Sequence, residues 1–460
     1  MLSLPTATTR LALQERRARL QGLLGRAPAL LASGKPRARN YAAQQFPFRA
    51  TSHFLYLFAL PHPDALAYWD GEGWTLYLPP PAEDDALWEG SVPGFFEISQ
   101  AVGVPVRERT QLATQLPAAT ATLPAPDMET NAELSRLLGR EVRYGRLAAQ
   151  DEKLADALIA LRLRHDAEGA REMRLAADVT REAHAAGLAA TRPGVTEAQV
   201  RAAMEAAILA RNVEPAYSPI VTVHGEVLHN HHYGHTLQDG ELLLADVGAE
   251  SPGGWAGDVT RTWPVSGRFS TTQRALYDVV LRAQEATVAA VRPGARYRDL
   301  HQLAHRELTA GLVALGILVG EVDALVNDGV SALLFPHGVG HLIGLDVHDM
   351  EDLGDRAGYA PGRTRPQGFG HRYLRLDRDL EPGMCVTIEP GLYLVPAILD
   401  NPALTRRAGD RLNRQRLAEF GDVRGIRIED DVLVTETGHE VLTGRIPKNP
   451  DIIESEMARR

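Results

Sequence analysis

Five side chains that are costly to bury interrupt apolar runs in the second half of this chain. They are Asp246 in LLLADVG, Asp258 in AGDVTRTW, His341 in HGVGHLIGLDVHD, Glu389 in TIEPGLY and Glu429 in IRIEDD. A carboxylate that ends a buried strand is tolerated only where something positive meets it. Any fold for this chain therefore has to bring something positive to these groups. Two divalent cations shared among the five would meet that need and would create a hydrolytic centre.

The rest of the chain narrows the setting. At 460 residues it is too long for one ordinary core, so two domains are expected. An apolar fraction of 44% and a charged fraction of 23% are those of an ordinary globular protein. A net charge of −10 lacks the basic footprint of a nucleic-acid binder, so no nucleic-acid partner is expected. Arg10, Arg16, Arg17, Arg19 and Arg26 break up the apolar residues near the N-terminus. No signal-peptide core or membrane span forms there, and LALQERRARLQGLLGR reads as an amphipathic helix on the outside of a domain. No membrane partner is expected, and the cytoplasm is the default location. The single cysteine, Cys385, excludes an intrachain disulfide and a Cys-rich zinc site. Within CVTI it reads as a small buried hydrophobe.

Residues 40 to 110 alternate apolar runs with turn signals, and Asp70-Gly71 between AYW and WTLYL marks a hairpin. These features, with flanking helical stretches, predict a small α/β domain over residues 1–155. Residues 156–460 form the second domain. It opens on one long helical pattern from EKLADALIAL to AAGLAAT, which Pro193-Gly194 stops. Thr196 and Gln199 then make a capping box, and Ser270 and Gln273 repeat it before a helix that ends at Pro293-Gly294. Two helix pairs with the same punctuation, each beside strands, suggest a duplicated half. The strands expected are SPIVTVHG, ELLLADVG and DVTRTWPV, then LLFPHGVGHLIGL, CVTIEPGLYL and GIRIEDDVLVTETG. Hairpin-like connections predict a largely antiparallel sheet with helices on one face, an α+β arrangement.

Within that frame the five residues gain meaning by combination. A strand-end aspartate is ordinarily a turn cap, but that does not explain two facing each other across the SPGGW turn. His341 follows Pro336, Gly338 and Gly340, which disfavour a helix, so HxxxH here is no zinc helix. His337, His341 and His348 cluster beside Asp346 and Asp349. Glu429 has Arg427 two residues away, and a buried Arg–Glu pair without metal fits that spacing equally well. An oxygen-rich set with one imidazole suits Mn²⁺, Co²⁺ or Zn²⁺, and two such ions about 3.5–4 Å apart would share a water or hydroxide. No GxSxG elbow and no GxxxxGK[ST] loop is present. Most of the cluster His224, His229, His231, His232 and His235 reads as surface.

Taken together, LLLADVG, AGDVTRTWPVSG, HGVGHLIGLDVHD, LEPGMCVTIEPGLY and GIRIEDDVLVTETG resemble the pita-bread dinuclear metallopeptidases, above all the Xaa-Pro aminopeptidase and prolidase branch. FPFRATSHFLYLFAL resembles the N-terminal domain of that branch. The resemblance implies an α+β protein with a C-terminal pita-bread catalytic domain of pseudo-twofold halves, preceded by a smaller α/β domain. It implies two divalent ions, foremost Mn²⁺ with Co²⁺ or Zn²⁺ as alternatives, held by Asp246, Asp258, His341, Glu389 and Glu429. Asp258 and Glu429 would bridge, and Glu389 would handle the proton of a metal-bridged hydroxide. His229, His337 and His348 match site histidines, His229 and His348 contacting substrate and His348 stabilising the oxyanion. Arg427 would orient a ligand carboxylate, and Arg375 matches a prolidase arginine that grips a dipeptide's terminal carboxylate.

The implied activity is hydrolysis of the N-terminal Xaa-Pro bond of a peptide, with a dipeptidase of the prolidase type as the alternative. A peptide with proline at its second position is the implied partner, and a homodimer or homotetramer the implied assembly. Two departures from the family stand out. The Asp246 to Asp258 spacing is longer by one residue, which bears on the hairpin more than on the ligands. The polar segment ALTRRAGDRLNRQRLAEFGDV before Glu429 looks more like prolidases. From another class, a pita-bread protein without metals would serve as a binding module, but all five ligand positions are filled here.

Overall fold

The first helix spans Ala7–Leu24 and is capped by Thr6, whose hydroxyl accepts from the Thr9 amide. Its inner face carries Leu13, Leu20 and Leu24, as the amphipathic pattern predicts, but also Arg16 and Arg17. Both guanidinium groups are buried because they serve helix ends. Arg17 donates to Leu57 O at 2.7 Å and Val102 O at 2.8 Å, in the last turns of Ser52–Phe58 and Phe95–Val102. Those carbonyls have no intrahelical partner, and the helix dipoles favour a cation there. Arg16 donates to Tyr56 O and makes two 2.7 Å bonds to Asp166. The arginines that break the apolar run thus hold the N-terminal unit together.

The structure, a computed structural model, describes residues 4–81, 85–88, 90 and 92–459. The chain divides into two units, Met1–Glu168 and Gly169–Arg460. The first holds a mixed sheet of β1 (Ala29–Ala32), β2 (Leu66–Trp69), β3 (Trp74–Leu78), β4 (Val106–Glu108) and β5 (Ala121–Thr122), in the order β4-β3-β2-β1-β5. The hairpin read from Asp70-Gly71 joins β2 to β3, with Trp69 opposite Trp74. Gly71 has φ +99°, which a side chain would resist.

The second unit carries the duplicated punctuation. Both capping boxes form, at Thr196 with Gln199 and at Ser270 with Gln273. After the first helix of each pair, Gly194 donates to Leu237 O and Leu237 donates back to Val195 O, at 2.9 and 2.8 Å. The same exchange links Gly294, Leu380 and Ala295, both bonds at 2.8 Å. The first half contributes β6 (Ile220–Thr222), β7 (Leu242–Asp246) and β8 (Thr260–Pro264), an antiparallel sheet in that order. The second contributes β9 (Cys385–Ile388), β10 (Gly391–Tyr393), β11 (Gly425–Arg427), β12 (Asp430–Val434) and β13 (His439–Val441). They form the antiparallel sets β13-β12-β9 and β10-β11. The Glu429 amide donates to Thr260 O at 3.1 Å and so ties the halves together. Among the described residues no helix is long and apolar enough to cross a membrane.

Two expectations about local structure need correction. The long helical pattern after residue 150 is two helices, Glu152–Arg162 and Ala167–Ala190. The expected strand LLFPHGVGHLIGL begins on the last residue of a 3-10 turn, Ser331–Leu333, and then runs as turns and loop with one bridge, Leu342 to Val386. Gly340 explains why the loop lies so close to β9. It has φ +150°, and a Cβ there would meet Thr387 O at 2.3 Å.

Candidate active site

The β7–β8 hairpin forms despite its longer turn, with Asp246 opposite Thr260. Asp258 lies two residues before Thr260, so it shares a face with Asp246 as a diagonal neighbour. Tyr217, just before β6, reaches both, its hydroxyl 2.6 Å from Asp246 Oδ1 and 2.6 Å from Asp258 Oδ1. Burial, then the two aspartates, push that phenol well above its ordinary range, so it stays a donor. It has one hydrogen for two carboxylate oxygens.

The other half delivers the rest. His341 Nδ1 donates to Leu342 O at 2.9 Å, which leaves Nε2 facing Asp258 Oδ2 at 3.4 Å and Glu389 Oε1 at 3.9 Å. A backbone bond at one ring nitrogen is the usual way to orient a ligating imidazole. One oxygen or nitrogen from each of Asp258, His341 and Glu429 lies within 4.8 Å of the other two. Arg427 does not pair with Glu429, as the metal-free reading of the sequence allowed. Its Nη2 donates to Asp246 Oδ2 at 2.6 Å and its Nε to Thr260 Oγ1 at 2.9 Å, while Thr260 Oγ1 donates to Glu429 Oε2 at 2.7 Å.

Charge in this cluster is out of balance. Burial, followed by the neighbouring carboxylates, pushes Glu429 well above the usual range. Burial raises Glu389 to about 7 against the pull of His341 and Arg427. Asp246 is also raised by burial, although Arg427 opposes the shift. Burial disfavours a charged His341, but its hydrogen bond to Asp258 outweighs this and holds the ring at about 9. A proton is therefore drawn to the spot where imidazole and carboxylate converge. Four crowded carboxylates, one outward-facing imidazole nitrogen and a tyrosine with one hydrogen for two oxygens suit divalent cations.

The ten residues given a site role by the resemblance line one cavity of about 430 Å³, whereas Asp346, Asp349, His224, His231, His232 and His235 are not among its lining. His337 is locked, donating from Nδ1 to Gly338 O at 2.8 Å and accepting at Nε2 from the Tyr393 hydroxyl at 2.8 Å. His348 stacks on His341 with ring centroids 4.0 Å apart and donates from Nδ1 to Glu351 at 3.1 Å. Arg375 Nη1 donates to both oxygens of Glu351, at 2.8 and 2.7 Å. Burial alone would raise the Glu351 carboxyl, but His348 and Arg375 hold it at about 2. His229 forms a solvent-facing part of the wall, with Leu228, Pro336, Phe369 and Ile398 as apolar lining.

Sequence reasoning missed Tyr217, Thr260, Tyr393 and Glu351. Thr260 and Tyr393 lie inside AGDVTRTW and TIEPGLY, where nothing marked them as partners of a ligand, and Tyr217 and Glu351 lie outside those segments. Only the β7–β8 register, which places Thr260 opposite Asp246, offered a signal for one of them.

Comparison with known proteins identifies the family. The pattern of metallopeptidase family M24 matches residues 171–436, and that of the aminopeptidase P N-terminal domain matches residues 13–125. The chain is 30% identical over 442 residues to a probable Xaa-Pro aminopeptidase of Penicillium rubens, covering 92% of each protein. It is 40% identical to the Xaa-Pro dipeptidase of Homo sapiens over 234 residues, 49% of this chain and 46% of that one. The chain thus spans about half the length of this dipeptidase. Among solved structures, a variant of Escherichia coli aminopeptidase P in complex with substrate is similar with a TM-score of 0.79 at 27% identity, covering 98% of both chains. A Pseudomonas aeruginosa aminopeptidase gives 0.79 at 28% identity, covering 97% and 98%.

Proposed function

We infer the activity from one premise: the chain belongs to metallopeptidase family M24 and carries the aminopeptidase P N-terminal domain ahead of its catalytic domain. It is an Xaa-Pro aminopeptidase, which removes the residue before a proline from the N-terminus of a peptide. The observation that carries this reading is the convergence of Asp246, Asp258, His341, Glu389 and Glu429 on one cavity. Whole-length similarity to aminopeptidases, against half-length similarity to the dipeptidase, supports the choice between the two activities.

These five residues would hold two divalent ions, with Mn²⁺ first and Co²⁺ or Zn²⁺ as alternatives on donor chemistry. Such ions, when bound, acidify water and polarise a peptide carbonyl. The chain supplies the remaining steps. A Glu389 carboxylate oxygen accepts the proton of the attacking water and passes it to the departing proline nitrogen. His348, oriented by its bond to Glu351 and kept below the ordinary imidazole range by burial and then His341, lines the substrate side of the cavity. His229 borders the substrate on the solvent side. His337, with both ring nitrogens engaged, keeps the wall in shape, and Arg427 positions Asp246. An Xaa-Pro bond has no N–H to satisfy, which suits an apolar wall opposite the carboxylates.

Arg375 bears on length selection. Its charge is already matched by Glu351, so it is poorly free to clamp a dipeptide's terminal carboxylate. That favours an open C-terminal side. A homodimer or homotetramer rests on resemblance alone, and light scattering tests it. Release of free Xaa from an Xaa-Pro-Yaa peptide, with the Xaa-Ala-Yaa analogue left intact, is the expected result. Equal cleavage of both peptides would overturn proline selectivity.

A further inference from the structure

The helix Tyr297–Ala314 places His301 and His305 four residues apart, on one face and fully buried. His371 comes to meet them from the 3-10 turn His371–Tyr373. The turn can approach because Gly370 precedes it with φ +85°, where a Cβ would fall 2.6 Å from Ala332 Cβ. The three ring centroids are 4.6, 5.2 and 5.3 Å apart. None of the three is among the residues of the M24 centre described above.

Their nitrogens are unevenly satisfied. His301 Nε2 lies 3.1 Å from His371 Nδ1, and one nitrogen from each ring is within 4.8 Å of the other two. His305 Nδ1 is 2.8 Å from Ser331 Oγ. His305 Nε2 and His301 Nδ1 are buried with no hydrogen-bond partner. A buried imidazole nitrogen left unpaired carries a desolvation cost that a bound ligand would relieve. Burial keeps His305 at about 3, so the ring is neutral, and in the tautomer that donates Nδ1–H to Ser331 the unpartnered Nε2 carries the lone pair. Ligand nitrogens around a four-coordinate zinc, with Zn–N of about 2.0–2.1 Å, stand roughly 3.3 Å apart. The His301–His371 separation is close to that.

We propose that His301, His305 and His371 form a second metal site, selective for a zinc-like cation, with Ser331 orienting His305 from behind. Phe335 packs on His305 at 4.8 Å and on His337 at 4.8 Å, and so stands between this site and the active-site cavity. The donors are nitrogen only, which suits Zn²⁺ or Co²⁺ better than Mn²⁺. His371 is partly exposed and gives a cation its way in.

The test uses the full chain loaded with Mn²⁺, then equilibrated with excess Zn²⁺, desalted and analysed for total metal per chain. The wild type is expected to hold one ion more than His371→Ala, whose partly exposed position spares the fold. Ser331→Ala is expected to keep the site but weaken Zn²⁺ about 10–100-fold. Equal metal content in wild type and His371→Ala overturns the proposal, including the case in which extra zinc sits on the surface histidines near His235. Co²⁺ in place of Zn²⁺ should give visible absorption of a four-coordinate nitrogen site in the wild type and lose it in His371→Ala. Identical spectra would also overturn it.

Discussion

Arg427 Nη2 lies 2.6 Å from Asp246 Oδ2, a contact between the second and first halves of the catalytic unit. The same guanidinium donates to Thr260 and Tyr393, so one buried cation fixes a candidate ligand and its neighbours together. Lysine keeps the charge but loses the fork. Arg427→Lys is expected to remain folded and to lose about 10–100-fold in metal affinity. Competition with a chelator measures this, and unchanged affinity would remove Arg427 from the support of Asp246.

Glu389 is the residue assigned to the proton. Glu389→Gln keeps the shape and removes the base, so turnover should fall by about 10²–10⁴-fold with the circular dichroism spectrum unchanged. Substantial residual activity would place the proton elsewhere.

How far the sequence reached is clearest at this centre. The five candidate ligands were legible because each interrupts an apolar run, and the β7–β8 hairpin because turn residues separate two such runs. Tyr217 and Glu351 were not legible. Their roles come from pairings between segments far apart in the chain, Tyr217 with Asp258 or Glu351 with Arg375, which no local pattern encodes. The strand expected over LLFPHGVGHLIGL failed for a related reason. Its apolar residues pack, but Gly340 at φ +150° bends the backbone onto Thr387. Arg16 and Arg17 were legible only as breaks in an apolar run, because their partners, the ends of two other helices, lie elsewhere in the sequence.

Glu351 joins His348 to Arg375 and should tune substrate length. Glu351→Gln releases Arg375 to meet a terminal carboxylate. KM for an Xaa-Pro dipeptide is expected to fall about three- to fivefold relative to Xaa-Pro-Yaa, the scale of a partly screened ion pair. Steady-state kinetics on both substrates checks it, and an unchanged ratio would leave Arg375 without a part in length selection.

Acid stability follows from His184, which is fully buried, packs on Trp263 and donates to Val247 O at 3.0 Å. Burial, aided by Arg261, lowers this ring to about 3. Its folded pKa is below the unfolded value of about 6.5, so the unfolded chain takes the proton first. Its contribution is intact above pH ~6.5 and is lost as pH falls towards 3, at up to about 1.4 kcal/mol per pH unit. His184→Gln should lower stability at pH 7 yet flatten the acid limb by one proton. Urea denaturation at several pH values reads that slope, and an unaltered slope would mean His184 is already protonated in the folded protein.

The central claim is an Xaa-Pro aminopeptidase built on the cavity around Asp258 and Glu389. Its most direct test is the turnover of Xaa-Pro and Xaa-Pro-Yaa substrates sharing one Xaa, using metal-stripped enzyme reloaded with Mn²⁺. Efficient release of Xaa from the longer peptides, and little from the dipeptide, is the predicted result. Cleavage of the dipeptide alone would contradict it and make Arg375 the carboxylate clamp of a prolidase.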